Sequence, residues 1–230
     1  KNKVYECLCL DVNVYRGESL SELSQYRLEL RKLIIYFFVL RGRLLNQEFI
    51  RLIDRAVFIG KKYERYYDLV NLLYSKIEIL SFNSSYEKLA RLEAEVKYYQ
   101  EAHAAFREAN NYHQKLVLSP GAKARGYSNI EEFPIAIAKL QESANKFKSS
   151  NIEYLELIIS MEYAHKTYDY RMAEAISFRQ LKLYKKSPAV FLKARVAGSY
   201  LNLGNNQMYL YKFKEAFTNV IASYPVYSAY

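Results

Sequence analysis

Three histidines and two cysteines are the whole supply of imidazole and thiol in this chain of 230 residues. His103 and His113 share one helical segment but stand ten positions apart, which turns them to different faces. His165 lies in another segment, with no Glu spaced to complete a zinc-binding helix. His103 falls on an apolar stripe, so the expectation there is a core imidazole satisfied by one hydrogen bond. Cys7 and Cys9 could offer two thiolates to a metal, but a tetrahedral site wants four ligands and there is no second cysteine pair. The 24 Asp and Glu are scattered among 34 Lys and Arg, the pattern of solvated helix faces. Ser119-Pro120-Gly121, followed by Lys123, Arg125 and Gly126, is rich in loop formers. It lacks the Gly-Lys-Ser or Gly-Lys-Thr ending of a phosphate loop and follows no strand. No nucleophile motif or dinucleotide-binding turn occurs either. The expectation is a protein that is not an enzyme and has no cofactor and no metal.

The surrounding sequence reads as helix almost throughout. Seven Gly and four Pro leave few turns, while 51% hydrophobic residues suffice for a core. Capping-box patterns begin at Ser19, Ser84, Ser128 and Ser150, each with Glu three residues on. Helices are expected at about 19–41, 46–60, 63–82, 85–115, 130–147, 151–167, 169–186, 188–207 and 209–224. In the fourth, Leu89, Leu92, Val96, Tyr99, His103 and Phe106 repeat at three-four spacing and form one apolar stripe. That stripe fits antiparallel packing in a helical array, or a coiled coil. Gly17, Gly42, Gly60, Gly121 and Gly126 fall where helices should end. The basic loop at 117–129 divides the chain into a divergent N-terminal half, 1–116, and a C-terminal half, 130–230, with one continuous domain over both halves as the alternative.

Near the C-terminus, Tyr200-Leu201-Asn202-Leu203-Gly204 is followed by Glu215-Ala216-Phe217 and then Tyr224-Pro225. This spacing resembles a tetratricopeptide repeat, in which two antiparallel helices meet at small residues. Gln207 stands where that family usually has an aromatic, and Val220 and Ser223 replace the usual aromatic and Ala of the second helix. The resemblance implies an all-α array of antiparallel helix pairs, an α-solenoid of about nine helices. It also implies a concave face formed by Gly198, Leu201, Asn205, Met208 and Tyr209. Leu201, Asn205, Met208 and Tyr209 are the candidate partner-binding residues, and Asn205 coincides with an amide that many family members use to hold an extended peptide. Val190, Ala194, Ala197, Leu201 and Gly204 are expected to form a small-residue face against Phe213, Ala216, Phe217, Val220 and Tyr224.

The function expected is non-catalytic protein or peptide binding, as a scaffold or as the sensor part of a regulator. Net charge +10 and 24 Tyr with 12 Phe keep single-stranded nucleic acid, RNA above all, as the alternative partner. Lys and Arg are dispersed, however, and form no dense cluster. The longest apolar run, 33–40, is far short of the about 20 residues that span a bilayer. Cys7 and Cys9 argue against a disulfide framework and mildly for a reducing compartment, so the cytoplasm is the expected location. Lys1 in place of Met suggests a trimmed N-terminus.

Overall fold

The computed structural model describes residues 28–36, 46–82, 84–118, 130–191 and 193–227. Cys7 and Cys9, the caps at Ser19 and Ser128, the basic loop from 119 onward and the glycines at 17, 42, 121 and 126 lie outside these residues. Among the described residues the fold is all-α, with no strand. After a helical stretch at 28–36 come α1 (Asn46–Lys62), α2 (Tyr66–Leu80) and α3 (Tyr86–His113), which ends in a π-helical turn, Gln114–Leu118. Then follow α4 (Glu132–Phe147), α5 (Ser150–Lys166), α6 (Tyr170–Lys186), α7 (Lys193–Tyr209) and α8 (Phe213–Tyr227). None is long and apolar enough to cross a membrane. The chain groups into two compact units, Lys1–His103 and Ala104–Tyr230, whose boundary falls inside α3.

One turn recurs. Three residues join α1 to α2, α5 to α6 and α7 to α8, and the middle one is left-handed each time: Glu64 (φ 51°), Tyr168 (φ 58°) and Tyr211 (φ 60°). The amide after it donates five residues back, from Arg65 to Gly60 (2.8 Å), Asp169 to Ala164 (2.8 Å) and Lys212 to Gln207 (2.9 Å). The left-handed residue itself donates three back, to Lys61, His165 and Met208. This pair of bonds is the Schellman closure, which satisfies the last carbonyls of one helix. The same donor residue then starts the next helix, because Arg65, Asp169 and Lys212 accept from Leu69, Ala173 and Ala216. Glycine usually fills the left-handed position; here none does, so the sequence carries no glycine signal at any of the three turns.

In the first unit, α1 and α2 bury Phe49, Ile53, Leu69 and Leu73 almost completely. Gly60 does not end α1 but lies within it, where an added Cβ would stand 2.8 Å from Leu69 Cδ2. A side chain on residue 60 would therefore require the fully buried Leu69 side chain to shift. The α3 stripe packs as expected at Val96, which is buried with Ala102. His103, by contrast, is only half-buried and lies beside the Tyr67 ring at 5.7 Å instead of in the core.

In the second unit, α4 through α8 each pack on the next helix in sequence. The core includes Phe133, Leu140, Ile152, Leu157, Ile159, Leu183 and Leu203. Ser149, not Ser150, caps α5: its hydroxyl accepts from the Ile152 amide at 3.2 Å. Ser150 instead shares a hydrogen bond with Ser187 at 2.7 Å. Gly204 and Ala216 do mark the close approach of α7 and α8, since a Cβ on Gly204 would sit 2.7 Å from Val220 Cγ2 and 3.1 Å from the Ala216 carbonyl. The expected bulky face does not follow. Ala216 is buried with Ser223, whereas Phe213, Phe217 and Tyr224 are exposed. Consecutive helical residues are turned about 100° apart, so pressing Ala216 against α7 swings Phe217 outward.

His113, at the end of α3, is half-buried in the second unit, and burial followed by the positive charge of Arg195 lowers its pKa from the ordinary 6.5. A lowered histidine pKa means the folded state favours the neutral ring. Its contribution is fully present above pH about 6.5 and is lost as the pH falls through the folded-state value. Melting temperature should therefore drop between pH 7.5 and 5, and His113→Gln should make that drop shallower. An identical pH slope in the variant would refute the assignment.

Candidate binding groove between α5, α6 and α7

The α5–α6 hairpin and the α7–α8 hairpin are related by a constant offset of 43 residues, with Lys193 matching Ser150 and Phe213 matching Tyr170. The offset sets the end of α7 beside the turn between α5 and α6. There His165, Tyr170, Asn202, Asn205, Asn206, Met208 and Tyr209 line a groove of about 730 Å³. Asn202, Asn205, Asn206 and Tyr209 follow the i, i+3, i+4, i+7 rule and so share one face of α7.

Asn206 anchors this face. It is buried, and its Nδ2 donates to Ser177 Oγ at 3.3 Å and Met161 Sδ at 3.6 Å. Its Oδ1 is 2.8 Å from His165 Nε2. An amide oxygen can only accept, so Nε2 is the donor and the imidazole is held in a fixed orientation. The Tyr170 and Tyr209 rings stack face to face with centroids 4.2 Å apart and planes 11° apart. Tyr209 is nonetheless 62% exposed, so the pair forms a flat wall that solvent or a ligand can reach. Asn205 and Met208 are exposed on the same surface.

Behind the groove, a polar seam holds the helices in register. Gln207 is buried and donates to Glu174 at 3.1 Å, while Asn219 donates to Gln207 at 2.8 Å. Lys212 Nζ completes the seam on Glu174 at 2.6 Å. Burial would raise the Glu174 pKa, but hydrogen bonds from Lys212 and Gln207 outweigh it and hold the carboxyl below its usual range. A glutamine at position 207 thus has a structural task that an aromatic side chain could not perform.

Of the four expected binding residues, Asn205, Met208 and Tyr209 line the groove together. Leu201 is half-buried one turn before Asn205 and does not line it, nor does Gly198. His165, Tyr170, Asn202 and Asn206 are additions that sequence reasoning did not supply. The amide triplet in Asn202-Leu203-Gly204-Asn205-Asn206 was a visible signal. The contribution of His165 and Tyr170 depends on the 43-residue offset, which becomes apparent only once the turns are located.

The groove has no Asp, Glu, Lys or Arg among its lining residues. No group of three or more His, Cys, Asp and Glu able to hold a metal occurs among the described residues. What the lining offers is amide donors and acceptors, one oriented imidazole, a thioether and stacked phenol rings. Comparison of the chain with family models, with curated proteins and with solved structures found no match.

Proposed function

We propose that this chain is a non-catalytic binding module, a tetratricopeptide-like helical array, whose groove between α5, α6 and α7 holds an extended peptide segment of a partner protein. The observation that carries the reading is the chemistry of the lining: two exposed carboxamides, Asn202 and Asn205, and a stacked tyrosine pair, with no Asp, Glu, Lys or Arg. Carboxamides both donate and accept, which suits a peptide backbone that presents N–H and C=O in alternation. The tyrosine wall suits an apolar or proline side chain of the same segment. Nucleic acid would require Lys or Arg beside its phosphates. The positive charge of the chain lies elsewhere than in this lining. Such a module acts as a scaffold or as the interaction part of a regulator.

Peptides selected on the immobilised protein from a random display library provide the test. Asn205→Ala should weaken a selected peptide about two- to tenfold, the range of one net hydrogen bond. Its stability should change by less than about 0.5 kcal/mol, as at other exposed positions. Tyr209→Ala should weaken binding at least as much, because it removes the face that Tyr170 orders. Equal affinity in both variants would reject the groove. Recovery of single-stranded nucleic acid alone, with affinity falling steeply in salt, would reject the peptide reading.

A further inference from the structure

The hydrogen bonds behind the groove run in one direction, and their buried end fixes it. Ser177 on α6 is fully buried, and its hydroxyl gives its one proton to the Ala173 carbonyl at 3.0 Å. The hydroxyl oxygen is then an acceptor only, and it accepts from Asn206 Nδ2 at 3.3 Å. The other Nδ2 proton meets Met161 Sδ at 3.6 Å. A thioether has no proton to give, so turning the buried Asn206 amide over would set its oxygen against the lone pairs of the sulfur. Oδ1 therefore faces His165, and the neutral imidazole carries its proton on Nε2. A neutral ring has one N–H, which leaves Nδ1 as a bare acceptor. His165 is exposed in the groove lining, and its Nδ1 has no hydrogen-bond partner among the described residues.

We propose that His165 selects which part of a partner the groove holds: Nδ1 accepts a hydrogen bond from a backbone N–H of an internal stretch of peptide, and a chain end with its free carboxylate is turned away. This rests on the peptide reading of the groove and adds the direction of one of its contacts. Asn202 and Asn205 are exposed carboxamides that can meet a donor or an acceptor, so they impose no such choice. Nδ1 does impose one, because its lone pair beside a carboxylate oxygen would face another lone pair. The lining also has no Lys or Arg, so a carboxylate drawn from water into the groove would find no countercharge there. Proline is excluded from the one position that meets Nδ1, since it has no N–H.

With three histidines in the chain, the ring nitrogens can be resolved by ¹⁵N spectroscopy of the full chain. In mildly alkaline buffer the wild type should show the His165 proton on Nε2, and Asn206→Leu should lose that signal as the unlocked ring exchanges with water. A peptide selected on the immobilised protein should move the Nδ1 signal on binding and bind equally well once its C-terminus is amidated. Replacing its backbone amides by esters one at a time should reveal one position at which loss of the N–H weakens binding about five- to tenfold. That loss should vanish against His165→Phe, with circular dichroism melts confirming that both variants fold. A His165 proton found on Nδ1 overturns the proposal in the wild type alone, and an Nε2–H signal that survives Asn206→Leu overturns the lock. A peptide that binds without moving Nδ1, that has no ester-sensitive position tied to His165, or that needs its free carboxylate overturns the proposal while leaving the groove as a peptide site. Absence of any binding peptide overturns the peptide reading itself, and this inference with it.

Discussion

Arg179→Met should lower the melting temperature by about 5–15 °C. Glu156 on α5 is only 1% exposed, and its carboxylate takes hydrogen bonds from Arg179 Nη2 (3.1 Å), Gln141 Nε2 (3.1 Å) and Ser160 Oγ (2.9 Å). These three donors come from α6, α4 and α5, so one acid ties three helices of the second unit together. Removing Arg179, the cation paired with Glu156 among the described residues, leaves a buried charge facing the neutral donors Gln141 and Ser160. Breaking a buried pair in this way costs about 3–5 kcal/mol. The Arg179 side chain is 48% exposed, and water entering from that side brings the expected figure down to about 2–4 kcal/mol. At about 2–4 °C per kcal/mol for a chain of this size, the shift is easily measured. Adding Glu156→Gln to Arg179→Met should recover part of the loss, since the unpaired charge disappears while Gln141 and Ser160 keep a carbonyl to bond. If Arg179→Met melts with the wild type, or the double variant is worse by the full sum of the single effects, the buried acid is not held by this arginine.

Ala216→Leu should cost about 1–3 kcal/mol, or about 2–12 °C. Ala216 is buried against α7, and the Gly204 backbone opposite leaves less room than a single Cβ needs. A leucine can be housed only by forcing α8 outward, which also strains the bond from Asn219 to Gln207. Phe217→Leu, one residue away, is the control and should be close to neutral because the ring it replaces is exposed. A melt of Ala216→Leu indistinguishable from wild type would mean that α7 and α8 do not meet where Gly204 and Ala216 place them.

Both substitutions bear on how much the sequence disclosed. Helix content was legible, because apolar residues at three-four spacing and a scarcity of Gly and Pro leave little else to form. The contact at Gly204 and Ala216 was legible for a related reason: two small residues in amphipathic helices mark close approach. The junction of the last two helices was not. A break expected between 207 and 209 lies instead at 210–212, because Tyr211 takes the left-handed position without the glycine that would have announced it. The cap of α5 slipped by one residue for a similar reason, since Ser149 and Ser150 are adjacent and only geometry decides which hydroxyl meets the Ile152 amide.

The groove was half legible. Asn205, Met208 and Tyr209 belong to one helix, so their shared face follows from helical period alone. His165 and Tyr170 are 35 to 44 positions earlier than the residues they join, and a pairing over that distance has no local signature. Tyr170 shows the difficulty well. In a chain with 24 tyrosines nothing marks it, yet its ring is the one stacked on Tyr209.

The peptide-binding groove can be examined directly through its methionine. The chain has three, Met161, Met172 and Met208, so a spectrum of ¹³C-methyl-methionine protein contains few signals to resolve. Met208 lines the groove, Met161 lies buried behind Asn206, and Met172 packs on the core cluster and is not among the lining residues. Titration with a selected peptide should shift the Met208 methyl progressively and leave Met172 in place. A peptide that binds while Met208 stays still, or that moves Met172 instead, would contradict the groove as the binding site.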